Sequence, residues 1–310
     1  MARHRSPSLR QTGFPVCLLF VLALGLGGLN SASAQSRLNR PPPRYLQLTP
    51  PDPQEGAAIL RDLRAAGPAG DYYLEFDLRV LPRRGEETRV PGRLWGGRNR
   101  EGPISRLALK IPSSADAAGA NGPEFTERRI LVQGGPRPAA WAWPAGAGDT
   151  TIVIDDAALF TPLAGTDLSA FDLQMPFLYW TDFVYEGKTR LQDRPTDTFL
   201  LYPPASLAAR RPDLIAIRVY LDPQYHALVQ AEQLGEGERV LKSFRVVSLR
   251  KIGENWIVRS VELRDEATRN KTRFVVTAAA LELDFSGSVF DPGGLGASLA
   301  PPAKLTRLAE

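Results

Sequence analysis

The chain has very little cysteine and histidine, the side chains that most often bind metals or act as nucleophiles and bases. Its 310 residues include one cysteine, Cys17, and two histidines, His4 and His226. Cys17 lies in an N-terminal apolar run that we expect to be removed, which would leave the exported chain without a thiol. Disulfides, thiol chemistry and thiolate metal sites are then excluded, although an exported compartment would permit disulfides.

Long apolar runs are also missing, except near the N-terminus. Three arginines precede a 16-residue apolar run from Phe14 to Leu29, and Ala32-Ser33-Ala34 follows it. This order of basic, apolar and small residues is typical of a secretory signal peptide, here residues 1–34 with cleavage after Ala34. The alternative is an uncleaved anchor helix, but a run of this length with three glycines is short for a bilayer span. The sequence therefore predicts a periplasmic protein without a stable transmembrane anchor.

The chain lacks a strong net charge once that segment is removed. The full sequence carries 38 Lys and Arg against 34 Asp and Glu, with a net charge of +4 and a pI near 9.3. The N-terminal segment contains three of the arginines and no acid, so 35 basic residues face 34 acidic ones in the remainder. A nearly neutral chain offers no electrostatic reason to bind nucleic acid, and we expect none as a partner.

The sequence contains no convincing catalytic constellation. His226 follows Asp222-Pro223-Gln224-Tyr225 at a predicted turn, has no second histidine with which to share a metal, and is not accompanied by a G-x-S-x-G motif. We interpret it as a surface or turn residue rather than a hydrolase base or metal ligand. The adjacent pairs Asp155-Asp156 and Glu86-Glu87 would point to opposite faces of a strand, so we interpret them as solvated charges rather than a glycosidase pair. The sequence predicts no enzyme activity, no metal and no cofactor.

What the sequence does contain is a regular β pattern. Residues 35–54 are proline-rich and indicate an extended segment, and Gly56–Gly67 predicts a short amphipathic helix. From Asp71 the apolar period changes from 3.6 to 2, which is typical of a half-buried strand. Less regular residues between Asp155 and Tyr179 predict short helices, one of them capped by Asp167 over Leu168–Leu173.

Short turns rich in Gly, Pro, Asn and Asp separate the remaining strand-like segments, and this spacing predicts an antiparallel meander. The predicted strands are Arg89–Trp95, Arg106–Ile111, Arg128–Gln133, Ala139–Trp143, Thr151–Ile154, Asp182–Arg190, Asp197–Tyr202, Leu214–Leu221, Ala227–Gln233, Glu238–Ser248, Asn255–Leu263 and Thr272–Ala279. We expect one β domain over residues 55–295 and a C-terminal tail over residues 296–310.

The second half resembles a known family. Ile217–Leu234 predicts a strand, an Asp-containing turn and a strand, and Val240–Ile257 adds two strands around a Gly-Glu-Asn turn followed by Trp256. Val258–Arg273 predicts a further hairpin, and the sequence DFSGSVFDP ends the region at Pro292. This order resembles the outer-membrane lipoprotein-sorting proteins of the LolA-like group. The resemblance is strongest over residues 166–292.

The resemblance implies a mainly β fold: an unclosed antiparallel half-barrel with a few short covering helices. It also implies a soluble periplasmic carrier or sorting factor that binds the acyl chains of lipids or lipoproteins in an apolar cavity, without catalysis. Other envelope proteins are further expected partners. The alternative is an envelope scaffold or interaction protein with a filled core and no ligand. A carrier should keep an apolar cavity of several hundred cubic ångströms, whereas a scaffold should not.

Apolar and aromatic side chains on the predicted strands and around Pro176 are the candidates for the lining of such a cavity, with ordinary core packing as the alternative. The candidate ligand-binding residues are Leu74, Phe76, Leu78, Trp141, Trp143, Phe177, Tyr179, Trp180 and Phe183.

Overall fold

In the computed structural model, the described residues are 51–112, 125–143, 150–192, 194–225 and 227–308. They form a mainly β structure with three α-helices and fourteen strands, all antiparallel to their neighbours. The helices are α1 (Pro53–Ala65), α2 (Ala170–Gln174) and α3 (Ala205–Arg210). The strands are β1 (Asp71–Leu81), β2 (Thr88–Arg98), β3 (Pro103–Pro112), β4 (Phe125–Gln133), β5 (Ala139–Trp143), β6 (Ile152–Val153), β7 (Phe183–Leu191), β8 (Arg194–Leu201), β9 (Ala216–Asp222), β10 (Ala227–Leu234), β11 (Val240–Ile252), β12 (Asn255–Asp265), β13 (Lys271–Leu283) and β14 (Thr306–Arg307).

The two halves of the chain share one sheet. Its order is β6-β5-β4-β3-β2-β1-β13-β12-β11-β10-β9-β8-β7, and β14 pairs with β13 outside this path. The N-terminal meander runs from β1 to β6 and the C-terminal one from β7 to β13, and the β1–β13 ladder joins them. Because β6 and β7 lie at opposite edges, the sheet is not closed. The predicted unclosed antiparallel half-barrel with a few short helices is confirmed.

Alternation along the strands produces two faces with different neighbours. Leu74, Phe76 and Leu78 of β1 point to what we call the inner face, where they are buried in a large apolar cluster. Tyr73, which directly precedes Leu74, is fully buried on the outer face, where it packs edge-on against Trp95 at 5.2 Å between ring centroids. The sheet is therefore covered on both faces in this region, which a period of 2 by itself would not predict.

Helix α1 begins earlier than the sequence pattern indicates. Asp52 caps it by accepting a hydrogen bond from the Gln54 amide at 2.9 Å, and Pro53 occupies the first turn, where its missing N–H has no cost. Residues 53 and 54 are thus helical, although we had assigned them to the proline-rich extended segment. Gly56 packs on Tyr185 of β7, so closely that an added Cβ would lie 2.5 Å from the tyrosine Cβ.

Helix α2 also begins at a different residue from the predicted one. Ser169, not Asp167, is the N-cap, and Ser169 and Asp172 form a reciprocal capping box. Asp167 instead accepts a hydrogen bond from the Thr272 hydroxyl at 2.8 Å and so ties the chain to β13. Met175 adopts a left-handed conformation (φ 44°) and ends the helix before Pro176, as the proline predicted.

The C-terminal residues that we assigned to a tail pack against the outer face. Arg106 of β3 is buried and donates hydrogen bonds to the carbonyl oxygens of Val289 (3.3 Å), Gly294 (3.2 Å), Leu295 (3.1 Å) and Ala297. The packing therefore continues through residue 295, where we had placed the boundary between domain and tail. Farther on, β14 pairs with β13 and Leu308 is buried.

Candidate ligand site

The inner face is covered by residues 163–180, which we call the covering segment. It contains α2 and a 3₁₀ turn over Pro176–Tyr179, and every residue from Leu168 to Leu178 is buried. Arg64 of α1 holds its far end by donating hydrogen bonds to the carbonyl oxygens of Leu178 (2.6 Å) and Trp180 (3.1 Å). Burial lowers the pKa of this guanidinium. The segment is an integral packed layer between α1 and the sheet.

The covering segment divides its apolar side chains between two clusters. Leu163, Leu168 and Leu173 join the cluster formed by β1 to β5 and β12 to β13. Phe171, Met175, Phe177, Leu178 and Trp180 join a second cluster formed by α1 and β7 to β10. Phe244 of β11 contacts both clusters, so the apolar interior is continuous across the sheet.

A cavity of about 60 Å³ remains between the covering segment and the sheet. Its lining is apolar apart from Ser105 and Asp172. The lining residues are Leu94, Ser105, Leu168, Asp172, Leu173, Met175, Phe244, Val258, Val261, Leu263 and Phe274. A smaller hollow of about 20 Å³ adjoins Phe177 and shares Asp172, Met175 and Phe244 with the first. Pockets that hold small molecules are typically about 300–1,000 Å³, so this interior is nearly filled.

A buried polar cluster borders both hollows. Asp172 accepts hydrogen bonds from the Ser169 amide (2.8 Å), from the Gln233 side chain of β10 (3.2 Å) and from the Lys242 ammonium of β11. These bonds satisfy a carboxylate that is 8% exposed, which would otherwise be costly to bury. They also connect α2 to two strands beneath it.

A second polar contact holds the start of the covering segment. The Asp167 amide donates to the Thr272 hydroxyl at 2.8 Å, and that hydroxyl donates to the Asp167 carboxylate. Burial raises the pKa of Asp167, while the hydrogen bond from Thr272 and the charge of Lys242 partly oppose the rise. The segment is therefore attached to the sheet by polar contacts at both β11 and β13.

A larger groove of about 350 Å³ lies where β10 and β11 separate. The described ladder between these strands ends at the pair Gln230 and Arg245, beyond which each strand pairs with its other neighbour. The groove combines apolar side chains with an Arg194–Asp222 ion pair of 3.4 Å. The lining residues are Leu191, Gln192, Arg194, Thr196, Asp222, Tyr225, Ala227, Leu228, Val229, Arg245, Val246, Val247, Ser248 and Leu249.

The structure separates the nine predicted ligand-binding residues into three places. Leu74, Phe76 and Leu78 lie in the first inner cluster. The predicted residues of the second cluster are Phe177, Tyr179, Trp180 and Phe183. Trp141 and Trp143 lie on the outer face against Leu295, and the Arg129 guanidinium stacks 4.6 Å from the centre of the Trp143 ring. Phe177 borders the smaller hollow, and none of the nine lines the 60 Å³ cavity.

Residues that sequence reasoning missed make most of the cavity wall. Val261 and Leu263 on β12 and Phe274 on β13 were visible as alternating apolar positions, but the pattern does not say which strands approach the covering segment. Asp172 and Lys242 are 70 residues apart and carry no local signal of their pairing. Their contact depends on the sheet order.

The described residues contain neither a metal-binding cluster nor a membrane-spanning helix. Within those ranges, no group of three or more His, Cys, Asp and Glu side chains is placed to hold a metal ion. No helix there has both the length and the apolar character needed to cross a membrane. His226 and the predicted signal peptide lie outside the described residues.

Solved structures of other proteins share this fold. A DUF1329 family protein from Desulfovibrio piger aligns over 79% of this chain and 100% of its own, with a TM-score of 0.63 and 14% identity. A putative outer membrane lipoprotein-sorting protein domain from Vibrio parahaemolyticus aligns over 79% and 100%, with a TM-score of 0.65 and 13% identity. A LolA superfamily protein from Nitrosomonas europaea aligns over 76% and 96%, with a TM-score of 0.55 and 14% identity.

At these identities the likeness shows the fold, and it confirms the predicted LolA-like architecture over most of the chain. No protein-family model matches the sequence, and no curated protein matches it either.

Proposed function

We propose that this protein is an exported, soluble periplasmic carrier or sorting factor that binds acyl chains of lipids or lipoproteins between the inner face and the covering segment. The observation that carries the proposal is the apolar inner face of an unclosed sheet, in a fold shared with a lipoprotein-sorting domain. Binding by burial needs no catalytic group, since each buried methylene contributes about 0.8 kcal/mol. The protein acts without an enzymatic step or cofactor.

Loading of the carrier requires the covering segment to move. The cavity of about 60 Å³ is far smaller than the space that an acyl chain of a lipid fills. The polar contacts of Asp172 and Asp167 are the attachments that such a movement breaks. Because the apolar residues beneath the segment come from both halves of the chain, a displaced segment exposes a continuous apolar surface.

Native mass spectrometry of the exported protein, purified without detergent, tests this proposal. We expect a bound mass in the phospholipid or acyl-peptide range. Val261→Phe fills the cavity and should reduce the bound fraction at least about tenfold, because a ring there occupies the space beneath the covering segment. The matched control is Val275→Phe, which places the same ring on the outer face of the neighbouring strand β13 and should leave the bound fraction unchanged.

An envelope scaffold that holds no ligand is the second candidate, and the nearly filled interior favours it. Every residue from Leu168 to Leu178 is buried, as in an ordinary core. A wild-type protein that stays free of ligand after incubation with lipids and lipoproteins would exclude the carrier and leave the scaffold. Equal loss of ligand in the Val261 and Val275 variants would also contradict the inner site.

A further inference from the structure

The outer face carries a row of arginines that crosses five neighbouring strands. Strand register places Arg245 of β11 opposite Glu262 of β12, and Glu262 opposite Arg273 of β13. Arg273 lies opposite Arg79 of β1, which in turn lies opposite Arg89 of β2. At the usual spacing of strands, the row is about 19 Å wide. The cross-strand pairs Arg273–Arg79 and Arg79–Arg89 therefore place like charges directly opposite each other, an arrangement that destabilises a sheet.

Cations outnumber carboxylates in this region. Arg264 and Lys271 form the next pair along β12 and β13, and we call the two rows together the basic band. The basic band consists of Arg79, Arg89, Arg245, Arg264, Lys271 and Arg273. Three carboxylates neutralise part of it: Asp77 contacts Arg89, Glu266 lies 2.8 Å from Arg264, and Glu262 is shared by Arg245, Lys271 and Arg273.

Glu262 cannot balance the cations around it. Its carboxylate lies 2.7 Å from Arg273 and 3.5 Å from both Arg245 and Lys271. The Nε atom of Arg273 is buried and has no hydrogen-bond partner among the described residues. One carboxylate thus serves three cations, so positive charge is in excess around Glu262.

The basic band is open to solvent. The described C-terminal residues cover β1 to β4 around Tyr73 and Arg106. The side chains of Arg89, Arg245 and Arg273 are 57%, 42% and 40% exposed. At one end of the band, the β1–β2 and β12–β13 turns are joined by a hydrogen bond from the Arg83 amide to the Asn270 side chain. These two turns contain acidic and basic residues in similar number.

The geometry points to an anionic phospholipid bilayer as the partner of the basic band. A bilayer presents many phosphates in a plane, and half-exposed cations on a broad sheet face suit it without directional contacts. A specific protein interface has an apolar core, yet the large apolar side chains that are exposed in the described residues lie outside the band. Binding of single-stranded nucleic acid uses aromatic stacking surfaces, and the band contains no aromatic residue.

This inference does not depend on the proposed carrier function, because the band and the cavity lie on opposite faces of the sheet. Docking by the outer face would leave the covering segment directed away from the membrane surface. The Val261→Phe variant should therefore bind vesicles as the wild type does. Loss of loading and loss of docking are separate results.

Sedimentation with vesicles tests the inference. The full-length exported protein is mixed with phosphatidylglycerol vesicles or phosphatidylcholine vesicles at low salt. The test variant is Arg79→Gln/Arg245→Gln/Lys271→Gln, which leaves Asp77 paired with Arg89 and Glu262 paired with Arg273. The matched control, Arg61→Gln/Arg137→Gln/Arg210→Gln, removes the same charge from exposed positions elsewhere.

We expect preferential binding to phosphatidylglycerol, weakened by about a hundredfold in the test variant and little changed in the control. Each removed cation near an anionic surface should cost about fivefold. Circular dichroism and thermal melting check that both triple variants fold. If the test variant does not fold, the single Arg79→Gln variant replaces it, and we expect this variant to bind about fivefold more weakly than the wild type.

Equal losses in test and control variants, or equal binding to both lipids, would overturn the inference. Binding to polyglutamate without binding to phosphatidylglycerol would also overturn it and assign the band to an acidic protein.

Discussion

Lys242 on β11 hydrogen-bonds to the carboxylate of Asp172 on α2 and so joins the covering segment to the sheet by a charged contact that is shielded from water. Replacing Lys242 by Met should destabilise the protein by about 1–3 kcal/mol, because Asp172 would remain buried with one fewer donor. The substitution should loosen the covering segment and leave the rest of the sheet as it is in the wild type. We expect faster amide hydrogen exchange over residues 163–180 than in the wild type.

Lys251→Met is the control for this prediction. Lys251 pairs with the exposed Glu254 at 3.1 Å, and such a surface pair contributes about 0–1 kcal/mol. Lys242→Arg keeps the charge and should restore most of the protection from exchange. Uniform acceleration of exchange over the whole sheet in Lys242→Met would contradict a local attachment.

Arg106 holds the C-terminal residues by donating to four carbonyl oxygens. Arg106→Met should lower the free energy of unfolding by at least about 3 kcal/mol, because hydrogen bonds from a charged donor contribute about 1.5–3 kcal/mol each. Urea denaturation measures the loss, and limited proteolysis should detect new cleavage between residues 286 and 300. Arg137→Met, at a side chain that is 82% exposed, should change neither.

Glu262 should contribute to the pH dependence of stability. Burial alone would raise the pKa of this carboxyl group, but the hydrogen bond from Arg273 and the charges of Lys271, Arg273 and Arg245 outweigh burial and lower it. A carboxyl group whose pKa is lower in the folded state stabilises the protein above its unfolded pKa of about 4.3. This stabilisation is lost as the pH falls through the folded pKa.

Glu262→Gln should therefore lower the free energy of unfolding at pH 7 by about 1–3 kcal/mol. The difference in free energy of unfolding between the variant and the wild type should become smaller as the pH falls below about 4.3. Chemical denaturation at pH 7, 5 and 3 measures this narrowing. Glu254→Gln alters a carboxyl group that is 78% exposed and serves as the control. A difference that stays constant down to pH 3 would contradict the assignment.

Gly92 on β2 leaves room for the ring of Phe76. A Cβ at position 92 would lie 2.3 Å from the Phe76 ring, which stacks on the cavity residue Phe274 at 4.3 Å between centroids. Gly92→Ala should destabilise the protein by about 1–3 kcal/mol through overpacking, as measured by thermal unfolding. Adding Phe76→Leu should recover part of the loss, because the two substitutions act on the same contact. The control is Gly287→Ala: a Cβ at position 287 would have no heavy atom within 4 Å, so this substitution should change the stability little.

The candidate site was only partly visible before the tertiary structure. Leu74, Phe76 and Leu78 were recognisable as one apolar face, and that face is indeed turned inward. The period of 2 could not tell inner from outer aromatics on other strands, so Trp141 and Trp143 were grouped with residues from which the sheet separates them. Nothing in the local sequence around Arg106 indicates its burial, which depends on the C-terminal residues that lie over it.

The sequence by itself determined the strands, most of their turns and the antiparallel class, because alternation and turn chemistry are local properties. Strand order decided everything that depends on distant residues. The β1–β13 ladder joins the two halves, brings Arg79 beside Arg273 and closes the inner face around Phe274. The sizes of the cavity and of the groove follow from how side chains from five or more elements pack together, and no local pattern encodes that packing.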